Sequence, residues 1–314
     1  MAKEADFLLF SGTSHPSFAK EIASHLGLSL GDISLYRFPD QEIGVEILES
    51  VRGKEVFVVQ TIALEPNEYL MELLIMVDAL KRASAKSITA VVPYFGYCRQ
   101  DRKEKPRVPI TAKLVANMLE KAGVSRLITM DLHAGQLQGF FDIPVDHLKA
   151  LPLLAKAIQG KGLNDLVVVA PDSGSAKLAR DFATALGVDY ALIDKVRSSS
   201  TDVTITAVIG DIEGKNVLLA DDVCSTAITL ASAAKACREK GASKVIACAT
   251  HPLLVGEALQ DLADSPIEAL LVSDTIPLRE EVSESKQVHS VSVATHFAKA
   301  IECVVSAGSI QPLC

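Results

Sequence analysis

Short runs rich in Val, Ile and Leu recur along the chain and alternate with stretches whose apolar residues fall at helical spacing, and this alternation constrains the fold more than any other feature. Apolar runs of this brevity, bounded by polar turns, suit strands covered on both faces. Candidate strands are residues 7–10, 56–60, 88–93, 127–130, 166–170, 190–193, 217–220, 245–249 and 269–272. Between them, Leu70, Leu73, Leu74, Val77 and Leu80 lie on one face of a helix beginning near Asn67. Leu114, Val115, Met118 and Leu119 do the same in a second helix, with Gly123 as its stop. Repetition of strand and helix predicts an α/β chain built on mainly parallel sheets flanked by helices.

At 314 residues the chain is long for one such domain. A change of composition near residues 146–151, followed by a fresh strand, divides it into residues 1–149 and 150–314. The formal net charge of -8 argues against a general nucleic-acid surface, which needs an excess of Lys and Arg. No apolar run reaches the roughly 18 residues of a membrane span, and the acidic first residues lead straight into a short strand without the apolar stretch of a signal peptide. Six cysteines form no C-x-x-C pair and are scattered through apolar segments, as reduced thiols would be. The expectation is a soluble cytoplasmic protein with neither nucleic acid nor membrane as partner.

Three candidate strands run into carboxylates, at Thr129-Met130-Asp131, Ala170-Pro171-Asp172 and Ala220-Asp221-Asp222. Ligands of open α/β sheets collect at such strand ends. The third continues through Val223, Cys224, Ser225, Thr226, Ala227, Ile228 and Thr229 into a helical pattern. Strand-end acids can accept hydrogen bonds from vicinal ribose hydroxyls, and the hydroxyls and N–H groups of a helix N-terminus can hold a phosphate. Ser225 or Thr226 acting as a plain helix cap is the alternative that this turn alone leaves open.

Residues 94–107 leave a strand as a loop in which Tyr94, Phe95 and Tyr97 precede Arg99, Gln100, Asp101, Arg102, Lys103, Lys105 and Arg107. Cations beside aromatics suit a nucleoside triphosphate, with its charged oxygens and its stacking face. His133 and Asp172 each follow a strand end and are candidate partial ligands for Mg²⁺, which keeps waters and phosphate oxygens as its other ligands. Lys195 and Arg197 open a polar segment, residues 198–202, that could close on a transferring phosphoryl group. The chain has no G-x-x-x-x-G-K-[ST] loop and no G-x-G-x-x-G after a strand, so ATP, if bound, is bound outside a P-loop.

Taken together, these segments resemble those of the ribose-phosphate pyrophosphokinases over nearly the whole chain. The resemblance also rests on Ser11-Gly12-Thr13-Ser14-His15, Arg37-Phe38-Pro39-Asp40-Gln41-Glu42, Ser50-Val51-Arg52-Gly53 and Gly139-Phe140-Phe141-Asp142-Ile143-Pro144-Val145-Asp146. It implies two tandem phosphoribosyltransferase-type domains, with the last helix packing back on the first, and a homo-oligomer built from dimers, up to a hexamer. By matching position, Phe38, Asp40 and Glu42 would contact adenine, and Arg99 and Gln100, within the loop that carries Asp101 and Arg107, the phosphates of ATP. His133 and Asp172 would hold magnesium. Lys195 and Arg197 would stabilise the transition state, Asp221 and Asp222 would engage ribose hydroxyls, and residues 225–229 would cradle the phosphate of ribose 5-phosphate. The implied reaction is in-line attack of the ribose 1-hydroxyl on the β-phosphorus of ATP, releasing AMP.

Two departures qualify that expectation. The family usually has an acid where this chain has Ser225 and a glycine where it has Ile228, and a β-branched residue there would restrict the backbone and crowd a phosphate. A weakly active or regulatory paralogue co-assembling with an active synthetase is therefore the competing reading. Leu178 also stands where the family commonly has an arginine linked to phosphate and ADP regulation.

Overall fold

The computed structural model describes residues 7–197 and 203–314. Residues 198–202, the polar segment after Arg197, lie outside the described residues. In chain order the elements are β1 (Phe7–Ser11), α1 (Pro16–His25), β2 (Ile33–Arg37), β3 (Ile43–Ile47), β4 (Glu55–Val59), α2 (Pro66–Arg82), β5 (Ser87–Val92), α3 (Thr111–Ala122), β6 (Arg126–Met130), β7 (Val145–Leu148), α4 (Leu151–Gln159), β8 (Leu166–Ala170), α5 (Ala176–Leu186), β9 (Asp189–Arg197), β10 (Val203–Ile209), β11 (Asn216–Cys224), α6 (Ile228–Glu239), β12 (Lys244–Pro252), α7 (Ala258–Ala263), β13 (Ile267–Ser273), α8 (Glu280–Ser283), β14 (Val288–Val291) and α9 (Ala294–Val305). Short 3-10 turns occupy Gly135–Phe140, Ser173–Ser175 and Gln311–Leu313.

The chain forms two compact units. The first holds the described residues up to Lys149 together with Thr275–Pro277 and Val293–Cys314, and the second holds Ala150–Asp274 and Leu278–Ser292. In the first, five strands pair in parallel in the order β1-β4-β5-β6-β7, and β2 and β3 make a separate antiparallel hairpin. In the second, seven strands run in the order β10-β9-β8-β11-β12-β13-β14, parallel except for the β9/β10 pair. The expected α/β architecture of tandem, mainly parallel sheets flanked by helices is thus the one observed. Central strands are apolar without alternation because helices cover both faces, as in Val56, Phe57, Val58 and Val59, all buried.

Helix faces differ in detail from the expected ones. On α2 the buried positions are Leu70, Glu72, Leu73, Met76, Val77 and Leu80, while Leu74 is only half-buried. On α3 the inner stripe is Ala112, Val115, Ala116 and Leu119, and Leu114 is 55% exposed, one residue off that stripe. Gly123 does end α3, at φ 133, where a side chain would be strained.

A buried carboxylate on a core-facing helix needs partners, and Glu72 has them. Its oxygens accept from Thr13 N–H (2.7 Å), Thr13 Oγ1 (2.7 Å) and Gln60 Nε2 (2.8 Å), and Gln60 Oε1 in turn accepts from Ser14 Oγ (2.6 Å). The turn after β1 is thereby fixed to the end of β4. A methyl group on Gly12 would lie 2.3 Å from Gln60 Oε1, so this turn has no room for a side chain.

Helix α9 returns to the first unit. Phe297 meets Phe18 of α1 edge to face at 5.5 Å, and Lys149 N–H donates to the Leu313 carbonyl at 2.9 Å. Among the described residues, no helix is long and apolar enough to cross a membrane.

Candidate active site

In the first unit the candidate residues come from three places. The β2/β3 hairpin turns through residues 38–42, closed by Phe38 N–H donating to the Glu42 carbonyl at 2.9 Å and by Gln41, at φ 73, donating to the Phe38 carbonyl at 2.9 Å. Phe38 is 44% exposed at this tip, edge-on to Tyr36 at 5.2 Å, with Asp40 and Glu42 exposed beside it. Arg37 steadies the tip, donating to the Gln41 carbonyl at 3.1 Å and pairing with Glu68 of α2. An aromatic face flanked by two acids suits the face and amino edge of a purine base.

The second place is the loop leaving β5. Tyr94, Phe95 and Cys98 are buried and anchor its first turn, and a Cβ on Gly96 would meet the Ile62 carbonyl oxygen at 2.5 Å. Beyond that anchor Arg99 and Gln100 are exposed, with Asp101 half-buried and Arg107 exposed at φ 64. Gln100 is tied to the start of α3, its Oε1 accepting from Thr111 Oγ1 at 2.6 Å and its carbonyl from Ala112 N–H at 3.2 Å. The cations are therefore presented from a held base.

The third is the exit from β6. Asp131 is buried at φ 36, a backbone that L side chains rarely adopt, and Lys149 pairs with its Oδ1 at 3.4 Å. Two residues on, His133 is exposed.

In the second unit, Asp172 follows β8 and caps the 3-10 turn behind it, its Oδ1 accepting from Gly174 N–H (3.0 Å) and Ser175 N–H (3.2 Å). Asp221 and Asp222, expected at a strand end, lie inside β11, which runs on to Cys224 because residues 223 and 224 keep pairing with His251 and Pro252 of β12. Burial first, then the charges of Asp222 and Asp172, push the Asp221 carboxyl well above the usual carboxylate range. Asp221 thus sits in the negative field of Asp222 and Asp172, which favours its protonated form.

Past β11, Cys224 and Ser225 carbonyls accept from Leu254 N–H (3.0 Å) and Val255 N–H (2.9 Å), and the chain turns into α6 at Ala227, φ 61. Ala227 is the N-cap, so neither Ser225 nor Thr226 occupies that position, and no side chain caps the helix. Ser225 is half-buried and Thr226 exposed, and Ile228 and Thr229 start the helix. The N-terminus of a twelve-residue helix whose N-cap is alanine is the kind of site that takes an anion. Ile228 has helical backbone, so the left-handed residue of this turn is Ala227 and a glycine is not required at 228 for conformation.

Lys195 and Arg197, expected just beyond a strand, stand within β9, opposite Ile205 and Val203 of β10. Burial pushes the thiols of Cys224 on β11 and Cys237 on α6 up to about 12, and that of Cys248 on β12 higher still.

For magnesium, the donors present are one imidazole and hard carboxylate oxygens. No three His, Cys, Asp or Glu side chains converge as a cage among the described residues. That fits an ion that takes one or two protein ligands and keeps waters and phosphate oxygens for the rest, and the negative charges of Asp172 and Asp222 around Asp221 favour a cation there. Sequence reasoning passed over Glu72, Thr61 and His147. The available signal for Glu72 was an acid in helical register with Met76 and Leu80.

Residues 7–123 match the N-terminal domain of ribose phosphate pyrophosphokinase, and residues 199–313 match the phosphoribosyl synthetase-associated domain. The ribose-phosphate pyrophosphokinase of Wolinella succinogenes is 48% identical over 307 residues, 98% of each chain. That of Corynebacterium ammoniagenes is 49% identical over 305 residues, 97% of this chain and 96% of the relative. The crystal structure of phosphoribosylpyrophosphate synthetase from Mycobacterium smegmatis matches with a TM-score of 0.91 at 41% identity, covering 97% of this chain and 100% of that one.

Proposed function

Because the chain belongs to the ribose-phosphate pyrophosphokinase family and is a transferase, we propose that it moves the pyrophosphoryl group of ATP onto the 1-hydroxyl of ribose 5-phosphate, giving phosphoribosyl pyrophosphate and AMP. The observation that carries this reading in the structure is the sequence of features along β11 and α6: an acid pair, a left-handed Ala227 and the helix N-terminus that follows it. Acids accept hydrogen bonds from sugar hydroxyls, and helix N–H groups donate to a phosphate.

Residues 1–149 form the ATP-binding domain in this reading and residues 150–314 the ribose 5-phosphate domain, with α9 packed back on the first unit. Phe38, Asp40 and Glu42 hold adenine, and Arg99, Gln100, Asp101 and Arg107 orient the phosphates. Asp221 and Asp222 fix the ribose ring, and residues 225–229 hold its 5-phosphate so that the 1-hydroxyl is the free nucleophile. In-line attack on the β-phosphorus breaks its bond to the α-bridging oxygen, and AMP leaves. Transfer of this type needs positioning and charge neutralisation more than covalent participation, and Lys195 and Arg197 supply the cationic charge for the developing oxyanion. His133 and Asp172 would hold magnesium, which would supply charge neutralisation at the phosphate oxygens. The working form is a cytoplasmic homo-oligomer assembled from dimers.

Ser225 and Ile228 are the grounds for the competing regulatory reading. The helical backbone at Ile228 removes the conformational part of that argument, which leaves crowding by Ile228 and the acid missing at Ser225.

Incubation of the purified protein with ATP, magnesium and ribose 5-phosphate is expected to release AMP in step with phosphoribosyl pyrophosphate, and Lys195→Ala is expected to lose that release. A folded protein that binds ATP and releases no AMP would sink the reading.

A further inference from the structure

The turn that carries His133 is held from an edge strand. Asp131 N–H donates to the Leu148 carbonyl at 3.0 Å, and Leu132 N–H donates to His147 Nε2 at 2.8 Å, both from the strand β7. On the far side of the ring, Nδ1 lies 3.2 Å from the side-chain amide of Gln138, which also donates to the Gly135 carbonyl at 3.0 Å. One buried imidazole therefore touches both the start and the end of the segment 132–138 that presents His133. A backbone amide can only donate, so Nε2 is the acceptor and Nδ1 carries the proton of the neutral ring, which makes the approach of the Gln138 amide nitrogen to Nδ1 a contact and leaves the Leu132 bond as the one that holds the turn.

The left-handed backbone at Asp131 gives this contact its importance. A buried non-glycine residue at φ 36 stays there only if its surroundings determine it, and the next peptide along is the one His147 holds. Release of the Leu132 amide frees the peptide one residue before His133, the first in the stretch of backbone that carries it out of β6.

We propose that His147 is a positioning residue for the reaction: by accepting the Leu132 amide proton it fixes the direction in which His133 leaves the β6 turn. The proposal rests on the reading that His133 meets magnesium-bound nucleotide. Outer partners of a metal-binding side chain commonly change metal affinity by about tenfold or more.

The test uses the full chain with His147→Leu and His147→Phe, which fill the space without an acceptor, and with His147→Gln, whose Oε1 reaches about as far as Nε2. Three quantities are measured: amide hydrogen exchange at Leu132, the Kd of magnesium-ATP without ribose 5-phosphate by calorimetry, and KM for each substrate. The expected result is faster exchange at Leu132 and about tenfold weaker magnesium-ATP binding in the Leu and Phe variants, an unchanged KM for ribose 5-phosphate, and recovery of most affinity in the Gln variant. In a His133→Ala background the same substitutions are expected to cost no further affinity. Faster Leu132 exchange with wild-type magnesium-ATP affinity would overturn the proposal, as would an equal loss of affinity in the His133→Ala background. Wild-type affinity in His133→Ala alone would overturn the reading of His133 itself, a failure separable from that of the hydrogen bond because Leu132 exchange still reports the latter.

Discussion

Ala227 and Ile228 divide between them what a glycine often does alone. Ala227 takes the left-handed backbone that brings the chain off β11, and Ile228 begins α6 in ordinary helical geometry. Crowding of a bound phosphate by the branched side chain is what remains. Ile228→Gly is therefore expected to lower KM for ribose 5-phosphate several-fold while costing up to about 1 kcal/mol of stability from helix propensity, read by initial rates and a urea melt. A neighbouring charge makes a second, pH-dependent prediction. The folded Asp221 carboxyl titrates above its unfolded value, so folding favours its protonated form. That contribution is complete below the ordinary carboxylate value and is lost as pH rises through the raised one. Asp221→Asn, neutral throughout, should gain on the native chain in urea midpoint as pH rises above the ordinary carboxylate range, with the gain growing until the raised carboxyl has ionised. A gain that shrinks with pH would contradict the raised carboxyl.

Between β4 and the nucleotide loop, one hydroxyl joins two elements. Thr61 Oγ1, fully buried, donates to the Thr275 carbonyl at 2.8 Å and accepts from Tyr94 N–H at 3.2 Å, where the loop of Arg99 and Gln100 begins. Thr61→Val keeps the shape and leaves both backbone groups without that partner. The expected cost is about 1–3 kcal/mol, with KM for ATP raised and KM for ribose 5-phosphate unchanged in steady-state assays. Elements of this kind were only partly legible in the sequence. All nine apolar runs fall on β1, β4, β5, β6, β8, β9, β11, β12 and β13, because strands covered on both faces carry an unbroken apolar signal. The strands that escaped notice, β2, β3, β7, β10 and β14, are edge strands or the separate hairpin. Their residues alternate or are partly polar, as in Val145-Asp146-His147-Leu148, and such a string reads as readily as a turn. So it was with the site. The acid pair and hydroxyl turn after β11 stood out by residue type, and the family resemblance supplied Phe38, Asp40 and Glu42. Nothing in the residue types announced the left-handed Ala227, since alanine carries no mark of a positive φ. Neither did anything link His147 to Leu132, fifteen residues away, without the β6/β7 register.

The first unit is made from both ends of the chain. Residues 7–149 supply its sheet, and α9 closes over α1 with Phe297 and Ile301 fully buried. Phe297→Ala is expected to destabilise this unit by about 3–5 kcal/mol, and a two-step thermal melt would show the loss in one transition if the units unfold separately. Loss of α9 altogether would strip the cover from Phe18 and Ile22, both buried. This discontinuity bears on how the protein is made. At synthesis rates of roughly 5–20 residues per second, the interval between residue 149 and residue 293 is roughly 7–30 s. During that time the first-made half waits with an exposed helix face, while the second unit has every residue it needs by Ser292. The order of completion therefore runs against the order of synthesis, and the unfinished α1 surface is the stage at which a chaperone would find this chain.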